Sequence, residues 1–268
     1  MNIIGIDSGS SAVKIIEQDE SGQILHKLML NKMPVKKALE VFINKEKIKK
    51  NKISKIVLTG VGKDEIEENL YGIPTIKIDE FIAIGTGGKK LADKKNALIV
   101  SIGTGTAFVM AKGKSYTHIG GTGVGGGTIL SLCKKIGDVN SVAEINEAIK
   151  NASLKNVDLS IQDVAIKEIK TLPKDTTSAN FGKLNENATT KDLIFGVVNM
   201  VFETIGVMAV FATQNTTIKN IIVIGNVATM PYINVVLKKI ENLHKGVKFI
   251  IPKTAEYATV IGAIEAAK

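Results

Sequence analysis

The chain has 268 residues, 44% of them hydrophobic, which suits one or two compact lobes with a buried core. All 35 basic residues are lysines and the formal net charge is +9, but the lysines are spread along the chain and only 4% of residues are aromatic. This pattern disfavours nucleic-acid binding. The positive net charge is then interpreted either as a coding bias toward lysine or as a sign of an acidic small-molecule ligand.

The first third of the chain alternates short apolar runs with turns. Residues 3–7 are typical of a buried strand that ends in an acid, and the turn "SGSS" leads into a returning strand over 12–16. Pro34 precedes a helix predicted over 35–46, and Asp79 is expected to cap a helix that begins near Glu80. The other predicted elements here are a strand over 24–30, a strand over 55–59, a helix from Lys63 and a strand over 73–78.

The same layout starts again near residue 96. An apolar strand, the turn "GTGT" and the strand "AFVMA" repeat the N-terminal pattern, which indicates an internal duplication with lobes over 1–94 and 95–268. The polar stretch over 138–190 is interpreted as an insertion in the second lobe. The later predicted elements are a long helix over 190–214, a strand over 221–224, a helix over 231–241, a strand over 247–251 and a helix from about 257.

Three further features bear on the cellular environment. Cys133 is the single cysteine, which excludes an intramolecular disulfide and a CxxC metal site. The apolar segment 193–212 contains Asn199 and Glu203, so a buried helix is favoured over a membrane span. The N-terminal residues show no signal-peptide pattern, and we therefore expect a cytoplasmic protein without membrane or nucleic-acid partners.

Small residues fill the turn of each strand–turn–strand unit, "GIDSGSSAVKI" and "SIGTGTAFVMA". Such turns let backbone amides and hydroxyls converge on an anion, and two of them at equivalent places in a duplicated pattern predict a phosphate site. A third segment, "IVIGNVATMP", is a strand followed by a glycine and a helix, which suits a nucleoside lying against the backbone.

In this order, the segments resemble the actin, sugar-kinase and Hsp70 ATPase superfamily, and most closely the type II (eukaryote-like) pantothenate kinases. The resemblance also rests on "IDEFIAIGTGG", "GKSYTHIGGTGVGGGTI", "TTSANFGKL" and the terminal "ATVIGAIEAA". It implies an α/β, duplicated actin-like (ribonuclease H-like) fold of two lobes, with mixed sheets flanked by helices. The implied activity is ATP- and Mg²⁺-dependent phosphorylation of the primary hydroxyl of pantothenate, the first step of coenzyme A biosynthesis, by a homodimer.

The resemblance also assigns roles to individual residues. Asp7 corresponds to the acid that holds Mg²⁺ through water, and Glu80 to the general base that takes the proton of the hydroxyl. The residues implied for nucleotide binding are Ser8, Gly9, Ser10, Ser11, Lys14, Gly103, Thr104, Gly105, Thr106, Gly121, Gly123, Gly125, Gly126, Gly127, Gly225 and Asn226. The glycine-rich segment is expected to bring the phosphates close to the backbone, at the N-terminus of the helix that follows.

The chain departs from the family pattern on the acceptor side. His118 stands where relatives have an arginine that contacts the pantothenate, and Thr117 and Tyr257 complete the expected acceptor residues. Histidine lacks the permanent charge of arginine, so a lysine such as Lys112 or Lys114 supplies that charge, or the substrate differs. The terminal segment loses two of the glycines of the family pattern, and Thr259 and Glu256 are expected to narrow that wall of the cleft.

Two alternatives therefore stay open. One is a kinase of the same superfamily that phosphorylates another small hydroxylated substrate, such as a sugar. The other is a nucleotide-binding activator or regulator without kinase activity. The activators of acyl-CoA dehydratases bind an iron–sulfur cluster through cysteines, for which Cys133 alone is a poor match.

Overall fold

The computed structural model describes residues 1–66, 69–167 and 169–268. The first half of the chain forms a five-stranded mixed sheet in the order β3-β2-β1-β4-β5. β1 to β3 are antiparallel neighbours, and β4 and β5 continue the sheet in parallel with β1. The elements are β1 (Asn2–Ser8), β2 (Ala12–Gln18), β3 (Ile24–Asn31), α1 (Val35–Lys45), β4 (Ile53–Thr59), β5 (Thr75–Lys77) and α2 (Glu80–Ala92).

The second half repeats this architecture around an insertion. Its elements are β6 (Asn96–Ile102), β7 (Thr106–Lys112), β8 (Ser115–Thr122), α3 (Gly126–Gly137), α4 (Val142–Ile149), β9 (Leu159–Ser160), α5 (Ile161–Val164), β10 (Thr177–Ala179), α6 (Thr190–Thr213), β11 (Asn220–Ile224), α7 (Pro231–Leu243), β12 (Lys248–Ile250) and α8 (Ala258–Ala266). The sheet order is β8-β7-β6-β11-β12, with β6 to β8 antiparallel and β11 and β12 parallel to β6. The predicted duplication is confirmed, since both sheets join three antiparallel strands to two parallel ones.

Two helices are exchanged between the halves. α2 follows the first sheet in sequence, but Ile84 packs with Ile99 and Ile222 of the second sheet. α8 is the last helix of the chain, and its Val260 and Ile264 pack with residues of the first sheet. Consequently, each sheet is covered by a helix from the other half of the chain.

α2 and α8 cross in direct backbone contact. A side chain at Gly262 would lie 2.7 Å from the Cα atom of Gly87, and a side chain at Gly87 would meet the backbone of Ala258 at 2.7 Å. Real Cβ atoms do not come this close to backbone, so the crossing requires both glycines. The crossing connects the halves directly beside the start of α2.

The helix predicted from Lys63 was wrong. The structure has a short 3-10 helix over Val61–Glu65, after which Ile66 is extended. Gly60 has a φ of +84°, and a side chain there would lie 2.8 Å from Asp7 Oδ1, so the segment bends closely over the end of β1. The remainder of the predicted helix includes residues 67 and 68, which lie outside the described residues.

α6 is the one helix, among the described residues, that is long and apolar enough to cross a membrane. Its most apolar window has a mean hydropathy of 2.0, but 61% of that window is buried inside the protein. Val198 and Phe202 lie in the core of the second half. The helix is thus a core element, as its sequence predicted.

Candidate active site

The two small-residue turns of the duplicated halves lie side by side. Ser10 and Ser11 are in the turn between β1 and β2, and Thr104 is in the turn between β6 and β7. The Oγ atoms of both serines are 2.7 Å from Thr104 Oγ1. Hydroxyls from the two halves therefore converge on one place, where a polyphosphate would find several donors.

A cleft of about 470 Å³ opens where the turns meet. Its volume lies in the range of small-molecule sites, which is roughly 300–1,000 Å³. The structure brings together residues that are widely separated in the sequence. The predicted site residues that line the cleft are Asp7, Gly9, Ser10, Ser11, Lys14, Glu80, Gly103, Thr104, Gly105, Thr106, Gly121, Gly126, Gly127, Gly225 and Asn226.

The end of β1 places a carboxylate and an ammonium group in this cleft. Asp7 and Lys14 are paired in the antiparallel register of β1 and β2. Lys14 Nζ lies 3.9 Å from Asp7 Oδ2, and both side chains are largely buried. Burial raises the pKa of Asp7, and the charge of Lys14 partly opposes that rise. An incompletely compensated carboxylate of this kind is suited to attract a cation.

The start of α2 supplies the second carboxylate. The side chain of Asp79 accepts hydrogen bonds from the amides of Phe81 and Ile82, so the predicted N-cap is confirmed. This cap begins the helix at Glu80, whose side chain lines the cleft. Burial raises the pKa of Glu80, and the nearby charge of Asp7 raises it further. A carboxylate with a raised pKa is a stronger proton acceptor, as a general base requires.

The glycine-rich segment contacts the protein itself, which differs from the prediction. The first amides of α3 donate to the second turn: Gly126 N to Gly103 O and Gly127 N to Thr104 O, both at 2.9 Å. These two donors are therefore used in holding the turn, rather than pointing at a ligand. The start of α3 thus holds the turn between β6 and β7, although Gly126 and Gly127 still line the cleft.

Close approach of backbone to backbone explains the glycines. A side chain at Gly125 would lie 2.6 Å from the carbonyl carbon of Gly105, and one at Gly121 would lie 2.7 Å from the carbonyl oxygen of Thr106. Gly121 belongs to β8 and not to a loop. At Gly123 nothing lies within 4 Å of the position of a side chain. Ser8, Gly123 and Gly125 do not line the cleft.

The third predicted segment forms the opposite wall. Gly225 follows β11 with a φ of +111°, and its amide donates to Ala255 O at 3.0 Å. A side chain there would collide with the backbone of Ile102, so the close turn depends on glycine. Asn226 and Val227 come next and line the cleft.

The predicted acceptor residues lie around the cleft but outside its lining. The ring of His118 stacks on Phe81, with the centroids 4.2 Å apart and the planes at 7°. Its Nε2 atom is directed toward Gly121, 3.7 Å from the position of a side chain there. Thr117 is exposed on β8, whereas Tyr257 is buried against the first sheet. Among these three, His118 has the position closest to the start of α2.

Several cleft residues were missed by the sequence reasoning. Ser101 of β6 is paired with Ala107, and this pair corresponds in the duplication to Asp7 and Lys14. Ile84 lies one helical turn after Glu80, on the same face of α2. Aligning the two halves would have identified Ser101 and Ala107. Ile84 follows Glu80 by four residues, so the helical repeat would have identified it on the same face of α2. The other lining residues that received no site role are Ala12, Val61, Thr122, Leu130 and Val227. Thr259, which was expected to narrow the cleft, also lines it, whereas Glu256 does not.

The carboxylates of the cleft fit Mg²⁺ bound in the manner usual for nucleotide sites. The described residues contain no group of three or more potential ligands that could hold a metal by itself. Mg²⁺ with nucleotides commonly uses only one or two carboxylates, and takes its other ligands from phosphates and water. Asp7, beside both turns, provides such a carboxylate.

Comparisons with known proteins identify the family of this chain. The family model Fumble matches residues 89–249. The chain belongs to the Fumble family. It is 27% identical to a type II pantothenate kinase of Bacillus cereus (strain G9842) over 240 residues, which cover 83% of each chain. A type II pantothenate kinase of Bacillus anthracis is 26% identical over 233 residues, covering 83% of this chain and 82% of the relative. The predicted family is thereby confirmed.

Solved structures confirm the fold of this Fumble protein. The activator of the 2-hydroxyisocaproyl-CoA dehydratase from Clostridium difficile, with bound ADPNP, has a TM-score of 0.71 at 19% identity, over 98% of this chain and 92% of that chain. A ROK family glucokinase from Streptomyces griseus, in complex with glucose and AMPPNP, has a TM-score of 0.63 at 12% identity, over 99% of both chains. These likenesses confirm the duplicated actin-like fold of two lobes with mixed sheets.

Proposed function

We propose that this protein is an ATP-dependent kinase that phosphorylates the primary hydroxyl of pantothenate, the first step of coenzyme A biosynthesis. The observation that supports it most is the position of Glu80 in the same cleft as Asp7 and both phosphate turns, in a member of the Fumble family. A phosphoryl transferase requires a base, a cation-holding group and phosphate donors in one cleft. The chain supplies all three.

In the proposed reaction, the acceptor oxygen forms a bond to the γ-phosphorus, the bond from that phosphorus to the bridging oxygen breaks, and ADP leaves. Glu80 accepts the hydroxyl proton. Its raised pKa, which burial and the charge of Asp7 produce, makes it a better proton acceptor than an exposed glutamate.

The phosphates are held by the two turns. Ser10, Ser11 and Thr104 supply hydroxyl donors, and Lys14 supplies positive charge. Asp7 would hold Mg²⁺, which when bound neutralises negative charge on the phosphate oxygens. Asp7 and Lys14 are fixed by strand pairing, so their orientation is set before a nucleotide binds.

The lining beside Glu80 favours pantothenate over a sugar. Val61, Ile84 and Ala107 present apolar side chains to the same cleft. In pantothenate, the carbon attached to the CH₂OH group carries two methyl groups, which these side chains would cover. A sugar would place hydroxyls there, and each hydroxyl left without a polar partner costs roughly 1–3 kcal/mol. The apolar wall therefore argues against the sugar-kinase alternative.

We also propose that the enzyme is a cytoplasmic homodimer, as the resemblance implied. Phe211 on α6 and Val235 on α7 are large apolar side chains with 57% and 49% of their surface exposed. A contact between two copies would cover such residues. Sedimentation equilibrium would measure the mass, and a monomer at micromolar concentration would contradict the dimer.

An ADP-release assay tests the activity. The protein is incubated with ATP and Mg²⁺, and with pantothenate, pantetheine, glucose or N-acetylmannosamine at millimolar concentration. We expect turnover with pantothenate and no turnover with the sugars. Turnover with a sugar alone would favour the other kinase, and ATP hydrolysis without any accepted substrate would favour the activator.

A further inference from the structure

The predicted insertion over residues 138–190 packs against α6 and has received no role. At Gly196 of α6, a side chain would lie 2.9 Å from Cζ of Phe181, so the ring of Phe181 lies directly on the backbone of the helix. Phe181 has a φ of +57°, a left-handed conformation that is unfavourable for a residue with a side chain. Its amide donates to Asp158 Oδ1 at 2.9 Å, and this bond helps to hold the conformation. The insertion is therefore docked at a defined place on α6.

Buried hydrogen bonds continue from Asp158 across α6 to α7. Asn199 Nδ2 donates to Asp158 Oδ2, and the hydroxyl of Tyr232 donates to Asn199 Oδ1, both at 2.8 Å. Asp158 and Asn199 are only 6% and 2% exposed. A carboxylate accepts and cannot donate, so Asn199 turns its amide nitrogen to Asp158 and its oxygen to Tyr232. Asp158, Asn199 and Tyr232 thus form a buried chain in which the direction of each hydrogen bond is fixed.

This chain ends at the first turn of α7, where Tyr232 is held in place. The ring of Tyr232 packs edge-on against Phe195, with the centroids 4.6 Å apart and the planes at 71°. Burial raises the pKa of Tyr232, and the charges of Glu203 and Asp158 raise it further, so the phenol keeps its proton and stays a donor. Among the described residues, no side chain caps the start of α7. The hydrogen bond from Tyr232 to Asn199 therefore fixes the first turn of this helix in the way a cap would.

The start of α7 is connected to the cleft by a short, tightly bonded segment. Asn226 and Val227 line the cleft in the segment predicted to lie against the nucleoside, and they are named the nucleoside wall. A 3-10 helix over Val227–Thr229 leads from this wall to α7. Thr229 N and Oγ1 both donate to Asn226 O, at 3.2 and 2.7 Å. Met230 is fully buried, and its amide donates to Val227 O at 3.1 Å. A shift of the first turn of α7 would therefore move the nucleoside wall.

We propose that the insertion positions the nucleoside wall, because the buried chain holds the first turn of α7. This inference rests on the proposed function, since it takes the wall as the side of the cleft that contacts the nucleoside of ATP. Asn199 and Tyr232 do not line the cleft, so they are positioning residues that act through α7. The proposed base Glu80 belongs to α2, which the buried chain does not touch. Loss of the chain should therefore weaken the binding of nucleotide and leave the binding of the acceptor unchanged.

The experiment compares Tyr232→Phe with the wild type. This substitution keeps the ring that packs on Phe195 and removes only the donor to Asn199. We expect the dissociation constant of a non-hydrolysable ATP analogue, measured by calorimetric titration, to rise about 3–10-fold, the effect of one hydrogen bond. The KM for ATP should rise by the same factor, whereas the KM for pantothenate should not change.

Thr177→Val is the matched control. Thr177 Oγ1 donates to Glu203 Oε1 at 2.8 Å, so this bond also joins the insertion to α6, but it lies outside the buried chain. Thr177→Val should lower the melting temperature and leave the binding of the analogue and both KM values unchanged. A role in stability alone predicts the same result for Tyr232→Phe.

Asn199→Ala interrupts the buried chain from the other side. Because both substitutions break the same bond, the double variant with Tyr232→Phe should bind the analogue no more weakly than Asn199→Ala alone. Thermal melting verifies that each variant is folded. If Asn199→Ala does not fold, the comparison of Tyr232→Phe with Thr177→Val decides.

Unchanged binding of the analogue by Tyr232→Phe, an equal loss in Thr177→Val, or additive losses in the double variant would each overturn the proposal. A rise in the KM for pantothenate by the same factor as that for ATP would also contradict it. If the wild type binds the analogue but does not phosphorylate pantothenate, the proposed function fails while the titrations still decide this inference. If the wild type does not bind the analogue, both fail.

Discussion

The two halves of the molecule share a backbone but differ in the chemistry they bring to the cleft. At equivalent positions of the strand pairs, the first half has Asp7 and Lys14, and the second has Ser101 and Ala107. The charged groups beside the phosphate turns thus come from the first half.

The second half contributes shape instead of charge. A side chain at Gly125 would collide with Gly105, and one at Gly126 would lie 2.8 Å from Gly103 O. In the first turn, a side chain at Gly9 would meet nothing closer than Ala12 O at 3.2 Å. Tight packing holds the second turn, whereas the first turn is held by strand pairing and hydroxyl contacts. Each half can therefore be disturbed by a different kind of substitution.

The largest effect is expected from the base. Glu80→Gln keeps the shape of the side chain but removes the proton acceptor, so kcat should fall roughly 10²–10⁴-fold. Calorimetric titration should show unchanged binding of a non-hydrolysable ATP analogue. Glu65→Gln, an exposed glutamate of the 3-10 helix, is the control. Near-normal turnover by Glu80→Gln would place the base elsewhere.

Substitutions at equivalent positions of the two halves test whether the charged pair of the first half matters more for turnover than the uncharged pair of the second. Asp7→Asn should lower kcat/KM by about 10²–10³-fold, because the variant loses the group proposed to hold the cation. Ser101→Ala at the matching position should cost about tenfold at most, the effect of one neutral hydrogen bond. Initial rates measured over a range of Mg²⁺ concentrations would show the difference. Similar losses in both variants would contradict the division of roles.

The packing role of the second half is tested by stability. The Cβ atom of Gly125→Ala would overlap the backbone of Gly105, and overpacking of this kind costs about 1–3 kcal/mol in the free energy of unfolding. Gly123→Ala, two residues away, meets nothing within 4 Å and should change the stability by less than about 1 kcal/mol. Urea unfolding measures both. If the two variants were equally stable, the glycines would be needed for nucleotide binding and not for packing.

The smallest expected effect concerns pH. The raised pKa of Glu80 means that the folded state binds its proton more tightly than the unfolded state does. Stability therefore falls as pH rises from the ordinary glutamate pKa through the raised one, and the loss is complete above it. Glu80→Gln should melt at a higher temperature than the wild type at alkaline pH, with the gain disappearing on acidification. A constant difference across pH would contradict the raised pKa.

Patterns within short segments of the sequence predicted most helices and strands correctly. They failed where contacts between residues far apart in the sequence determine the local conformation. The strand–turn–strand units and the cap at Asp79 were predicted correctly, because alternation and capping depend on neighbours in sequence. The helix from Lys63 was not, because Gly60 bends the chain over Asp7, which lies more than fifty residues earlier. The glycine-rich segment lies against the turn of the same half, and its role in binding a nucleotide stays a prediction.

The sequence by itself determined the duplication, the two carboxylates and the family, since each depends on a residue pattern within a short segment. Only the tertiary structure determined the contacts between segments that are distant in the sequence. It exchanged α2 and α8 between the sheets and turned the first amides of α3 toward Gly103 and Thr104. The physical reason is that burial and charge act between groups that packing brings together, and this packing depends on the whole chain.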